Sequence, residues 1–75
     1  MKQRKTRDYE IEWVKTGERE SARAKSADDA AGIVARRTGA DEARLIPGGT
    51  YRYQTVTCLP GGGASLGAEF FVEQV

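Results

Sequence analysis

Hydrophobic and polar residues alternate through the first part of the chain, in two runs separated by a glycine. In residues 8–15, aromatic and aliphatic residues occupy every second position and acidic residues lie between them. This is the period of a β-strand with one buried face. Residues 19–25 alternate in the same way, and Gly17 suits a tight turn between the runs. We therefore predict a β-hairpin, whose inward-facing residues would be Tyr9, Ile11, Trp13, Ala22 and Ala24.

In the next segment the apolar residues recur every three to four positions, which predicts a helix over residues 27–38. Ser26 can cap its N-terminus, with Asp29 three residues on, and Gly39 suits the position just past its C-terminus. The inner stripe of the helix would comprise Ala27, Ala30, Ala31 and Val34, with Ile33 as a further candidate. The small side chains allow the helix to pack closely on the hairpin.

Two Pro-Gly-Gly runs divide the rest of the chain into strands. Residues 43–46 form a short apolar run, 50–59 are the most β-prone stretch, and 66–75 alternate again. The element order is then β-β-α-β-β-β. We predict an α+β fold, a single antiparallel sheet of four or five strands with one helix packed on one face. Because there is only one helix, part of the other face must be exposed or covered by a partner.

The residue inventory excludes several kinds of chemistry. The chain of 75 residues has no histidine and a single cysteine, Cys58, which we expect to be a small buried residue on its strand. An internal disulfide, a structural zinc site and a Ser-His-Asp or Cys-His nucleophile are thereby excluded. The loop PGGGASLG contains no lysine and precedes a strand, so it predicts a hairpin loop rather than a phosphate loop. We expect a protein that is not an enzyme, with no catalytic residues, metal or cofactor.

Positive charge is concentrated at the start of the chain, although the net charge of the whole sequence is only +1. We predict a flexible basic arm over residues 1–7 and a single domain over residues 8–75. No stretch is apolar enough to cross a membrane, and the basic start is not followed by an apolar run typical of a signal peptide. We therefore expect a cytoplasmic protein.

Aromatic and basic residues are the candidates for binding a partner. Tyr51 and Tyr53 would lie on one side of their strand and Arg52 on the other. The rings either pack within the sheet or stack on nucleic-acid bases beside the basic arm, and the sequence leaves both alternatives open. The full set of candidates is Lys2, Arg4, Lys5, Arg7, Arg23, Lys25, Tyr51, Arg52 and Tyr53.

Two resemblances bear on function. The stretches YEIEWVKTGERESARAK and SADDAAGIVAR resemble the arm-binding domain of phage-type tyrosine recombinases, although that family has three strands before its helix and ends there. The same stretches resemble small anti-CRISPR proteins of phages and mobile elements, which have one sheet, one alanine-rich helix and no catalytic residues. Neither resemblance assigns a role to a particular residue.

Three hypotheses follow. The first is a phage-encoded anti-CRISPR-type inhibitor that occludes a partner protein, such as a host defence ribonucleoprotein complex. The alternative is a nucleic-acid-binding domain that uses the basic arm and a sheet face, similar to recombinase arm-binding domains. The third is a homodimer through an exposed edge strand, for which residues 66–75 are the candidate because they contain no Lys, Arg or Pro.

Overall fold

The computed structural model describes residues 5–48 and 51–75 and confirms the predicted α+β fold. Five strands form one antiparallel sheet, and a single helix packs on one of its faces. In chain order the elements are β1 (Arg7–Trp13), β2 (Arg19–Ala24), α1 (Ala27–Arg37), β3 (Glu42–Leu45), β4 (Arg52–Cys58) and β5 (Ala64–Gln74).

The strand order across the sheet is β2-β1-β5-β4-β3, so the last strand of the chain lies in the middle. β5 pairs with β1 on one side and with β4 on the other. The prediction that residues 66–75 form an exposed edge was therefore wrong. Their lack of lysine, arginine and proline instead suits a central position, where both sides of the backbone are paired. Because both edges of β5 are already paired, residues 66–75 cannot form the homodimer that was predicted through them.

The core lies between α1 and the covered face of the sheet, and Phe70 is at its centre. Phe70 is fully buried, with its ring centroid 4.9 Å from that of Trp13 and 6.0 Å from that of Tyr53. The helix contributes small side chains that are also fully buried, Ala30, Ala31 and Val34. The large residues therefore come from the sheet and the small ones from the helix, which lets the two layers approach closely.

Hydrogen bonds between side chains tie α1 to the sheet near both of its ends. Near the N-terminus, the Tyr53 hydroxyl donates to Asp28 Oδ1 at 2.5 Å. Near the C-terminus, Glu20 accepts from the Trp13 indole at 2.8 Å and from Arg37 at 3.1 Å. The pKa of the Tyr53 hydroxyl is raised well above its ordinary value. The main cause is burial of Tyr53, and the second is the neighbouring Asp28 carboxylate.

An irregularity in β5 changes which of its side chains face the core. The pairing of β4 with β5 shifts register between Gln54 and Val56, opposite Gly67. Uninterrupted alternation along β5 would place Leu66 on the inner face with Phe70, but Leu66 is exposed because of this shift. Gly67 lies directly against the buried Thr55 side chain, and a Cβ at this position would overlap the Thr55 hydroxyl.

Replacing Gly67 by alanine should therefore destabilise the fold. We expect Gly67→Ala to lower the free energy of unfolding by about 1–3 kcal/mol, the usual effect of forcing an added group into a packed site. The matched control is Gly63→Ala, whose Cβ would meet Leu59 at an ordinary 3.6 Å. Urea unfolding of both variants measures the difference, and equal stability of the two would show that the close approach at Gly67 is not needed.

The Tyr53–Asp28 bond should contribute to stability in a pH-dependent way. We expect Tyr53→Phe to cost about 1 kcal/mol at pH 7, because a hydrogen bond is lost. In the unfolded chain a tyrosine loses its proton near pH 10, whereas in the folded protein Tyr53 keeps it to a higher pH. The free energy of unfolding should therefore fall as the pH rises above about 10.

Urea unfolding between neutral pH and pH 11 tests this linkage. The stability difference between the wild type and Tyr53→Phe should shrink at the alkaline end, whereas Tyr51→Phe, at an exposed tyrosine, should follow the wild type throughout. A difference that stays constant with pH would mean that the hydroxyl of Tyr53 titrates as it does in the unfolded chain.

Candidate functional site

The face of the sheet opposite α1 is not covered by any other element in the described part of the chain, and it is rich in carboxylates. The alternation that turns Tyr9 and Phe70 toward the helix turns their neighbours outward. We call this surface the open face. Its acidic side chains on the two central strands β1 and β5 are Asp8, Glu10, Glu12, Glu69 and Glu73. Its arginines on the neighbouring strands are Arg19, Arg23 and Arg52.

Each of these arginines pairs with a carboxylate of the open face. Arg19 lies 3.7 Å from Glu10 and 3.8 Å from Glu12, and Arg23 lies 3.7 Å from Asp8. These pairs are long and exposed, so each contributes little to stability. Because the carboxylates outnumber the arginines, the open face retains an excess of negative charge.

The pair formed by Arg52 and Glu69 is tighter. Two guanidinium nitrogens contact the same carboxylate oxygen of Glu69, Nε at 2.6 Å and Nη2 at 2.5 Å, and both side chains are about one third exposed. The Arg52 guanidinium also lies over the ring of Phe71, 5.6 Å from its centroid. Arg52 is thus held in one position by a carboxylate and by a ring.

Phe71 is the large apolar side chain at the centre of the open face. It lies on β5, with Glu12 of β1 and Arg52 of β4 as its cross-strand partners, and 39% of the residue is exposed. A partly exposed aromatic ring enclosed by charged groups has the composition of a binding hot spot with a polar rim.

A second surface of opposite charge lies where β1 and α1 begin. A cleft of about 420 Å³ opens there between Arg7, Lys25 and Tyr51. A neighbouring cavity of about 480 Å³ shares Arg7 and Lys25 and adds Lys5. We call the surface formed by Lys5, Arg7, Lys25 and Tyr51 the basic cleft.

The cations of the basic cleft are not neutralised by carboxylates of the described residues. Five ion pairs form among the described residues, and none of them includes Lys5, Arg7 or Lys25. Arg7 instead donates to the neutral amide oxygen of Gln74 at 3.3 Å. Glu73 is the one acidic residue among those lining the two cavities.

The structure separates the predicted binding residues into several environments. Lys2 and Arg4 lie outside the described residues. Lys5, Arg7, Lys25 and Tyr51 come together in the basic cleft, although Arg7 is the first residue of β1.

The other three candidates are not in the basic cleft. Arg23 pairs with Asp8 on β1, and Arg52 belongs to the open face. Tyr53 is buried in the core, which settles the choice between packing and stacking for this ring in favour of packing. Phe71 was missed as a candidate, although its sequence signal was clear, since it is an aromatic residue at an outward position between glutamates.

Cys58 was expected to be buried, but it is exposed at the end of β4. Asp41 lies beside it and accepts a hydrogen bond from the Cys58 backbone N–H at 2.6 Å. The negative charge of Asp41 raises the pKa of the Cys58 thiol, which therefore stays protonated and weakly nucleophilic near neutral pH.

Neither a cluster of metal ligands nor a membrane-spanning helix occurs in the described residues. Over 5–48 and 51–75, no three His, Cys, Asp or Glu side chains are grouped so as to hold a metal ion. The single helix in these ranges is too short to cross a membrane.

Comparisons of the chain with protein-family models, with curated proteins and with solved structures found no match.

Proposed function

We propose that the protein is a small, non-catalytic binding module that covers a basic surface of a partner protein with its open face. An anti-CRISPR-type inhibitor, encoded by a phage and directed at a host defence ribonucleoprotein complex, is the specific form of this proposal. Such a complex must carry basic grooves that hold nucleic acid, and an acidic face that occupies a groove of this kind would inhibit by exclusion.

The observation that carries the proposal is the position of Phe71 among carboxylates on a rigid sheet. An aromatic anchor supplies apolar contact area, while the surrounding glutamates favour a basic partner and disfavour an acidic one. The strands on both sides of β5 fix the position of the ring before binding, so little conformational entropy is lost when a partner docks.

The tight pair between Arg52 and Glu69 supports the same interpretation. It holds the Arg52 guanidinium over the ring of Phe71, and 39% of Phe71 remains exposed. Arginine and aromatic residues are the types most often found in hot spots. Arg52, Phe71 and Glu69 together form the centre of the proposed interface.

Nucleic-acid binding by the open face is disfavoured by its charge. Phosphates would meet the carboxylates of β1 and β5, and Arg19, Arg23 and Arg52 beside them are already paired within the protein. In the alternative hypothesis of nucleic-acid binding by a basic arm and a sheet face, the sheet face is therefore disfavoured. Only the basic residues remain candidates for contacting nucleic acid.

Binding to purified RNA-guided defence complexes tests the proposal. We expect the wild type to co-elute with its target complex and to block its binding of DNA. Phe71→Ala should weaken binding by about 2 kcal/mol, roughly 30-fold, as expected for a hot-spot residue. The charge reversal Glu10→Lys/Glu73→Lys should weaken it as well, because two cations would then face a basic groove.

The matched controls lie away from the open face. Leu45→Ala removes an exposed apolar side chain at the edge strand β3, and Glu18→Lys reverses a charge in the turn after β1. Both should bind like the wild type, and circular dichroism should show that all four variants are folded. The proposal fails if the wild type binds no such complex, or if Phe71→Ala and Leu45→Ala bind equally well.

A further inference from the structure

We propose that the basic cleft is a nucleotide site, in which Lys5, Arg7 and Lys25 bind a phosphate and Tyr51 stacks on the base. This site shares no residue with the centre of the open face, and it does not depend on the function proposed for that face. The ligand is a nucleotide unit, either a free mononucleotide or one nucleotide of a single strand.

The convergence of cations is the first observation. Lys5 and Arg7 come from the start of the described chain, whereas Lys25 directly follows β2, so the fold brings them together from separate segments. They lack carboxylate partners among the described residues. The six residues outside these ranges include no Asp or Glu that could neutralise them. Three cations are thus available to a phosphate.

Local carboxylates do not cancel this positive charge. Glu73 lines the cleft of about 420 Å³, but it is one carboxylate against three cations. Asp28, in the first turn of α1, accepts a hydrogen bond from the Tyr53 hydroxyl at 2.5 Å and lines neither cavity. A phosphate placed between Arg7 and Lys25 would therefore be in a region of net positive charge.

Tyr51 is the second, independent observation, because its ring is exposed beside the cations. The residue is 56% exposed and lines the cleft. Its backbone has a φ of 54°, in the left-handed region that a tyrosine rarely adopts, and its carbonyl accepts from the Val72 N–H at 2.9 Å. Attachment to the central strand thus fixes the position of an aromatic ring that packs on nothing in the core.

The size of the cleft agrees with a small ligand. A volume of about 420 Å³ lies within the range of small-molecule sites, roughly 300–1,000 Å³. A ring for stacking next to a cluster of cations is also the arrangement with which proteins bind single-stranded nucleic acids. A carboxylate-rich peptide would use the cations but not the ring.

Fluorescence anisotropy with a labelled eight-nucleotide oligo-dT, and competition by AMP, inorganic phosphate and a glutamate-rich peptide, test the site. We expect the oligonucleotide to bind and its affinity to fall with salt. Arg7→Ala/Lys25→Ala should weaken binding at least tenfold and lower the salt slope by about 1.4, since each lost contact to a single strand contributes about 0.7. Tyr51→Ala should weaken it roughly tenfold, while Tyr51→Phe should not.

The matched control is Lys15→Ala/Arg44→Ala, which removes the same charge from positions outside the basic cleft. It should stay within about twofold of the wild type, because distant charges are screened. Displacement by AMP identifies a mononucleotide site, and binding of the oligonucleotide without displacement by AMP identifies a strand site; both support the proposal.

Three results would overturn it. The first is that neither the oligonucleotide nor AMP binds. The second is that both double variants weaken binding equally, which would indicate only net charge. The third is that phosphate or the glutamate-rich peptide competes as well as AMP and Tyr51→Ala has no effect, which would indicate an unspecific anion site.

Discussion

The packing of one short helix on one face of the sheet is the constraint on which the rest of the structure depends. Eleven residues of α1 cover the core around Phe70 through alanine and valine side chains. Because these side chains are small, the aromatic residues that fill the core must come from the sheet. Phe70 and Tyr53 are therefore buried, and their neighbours Phe71 and Arg52 are necessarily turned to the opposite face. The residues proposed to bind a partner are thus positioned by the residues that form the core.

The same packing separates the two charged surfaces. The hydrogen bond between Asp28 and Tyr53 ties the start of the helix to β4, and the cations of the basic cleft meet where the helix and β1 begin. The carboxylates of the open face lie on the other side of the sheet, on the adjacent strands β1 and β5, and Glu73 alone among them also lines the cleft. A nearly neutral chain is in this way divided into an acidic surface and a basic surface, which favour different partners.

Local patterns in the sequence predicted most of the fold. Strict alternation identified β1 and β2, and the Ser26 cap with Gly39 bounded the helix to within one residue. The position of β5 was not predictable in this way, because strand order depends on pairing between distant segments and not on the pattern within one of them. The irregularity at Gly67 was missed for the same reason, since its cause is the Thr55 side chain of another strand.

The candidate sites were predicted less completely. Charge and aromatic content selected the residues of the basic cleft, but they could not show that Tyr53 is buried while Tyr51 is exposed. The backbone conformation of Tyr51, which the sequence does not reveal, accounts for this difference. The open face was visible as outward glutamates on two strands, yet its excess of negative charge became apparent only once β1 and β5 were seen to be adjacent.

The most direct test of the account is NMR mapping of the isotopically labelled protein titrated with a basic partner complex that it binds. The account predicts selective broadening of resonances from the open face, with Phe71, Glu69 and Arg52 the most affected, while the exposed residues of α1 keep their line widths. Broadening centred on the helix, with the open face unchanged, would contradict the claim that this face is the protein-binding surface.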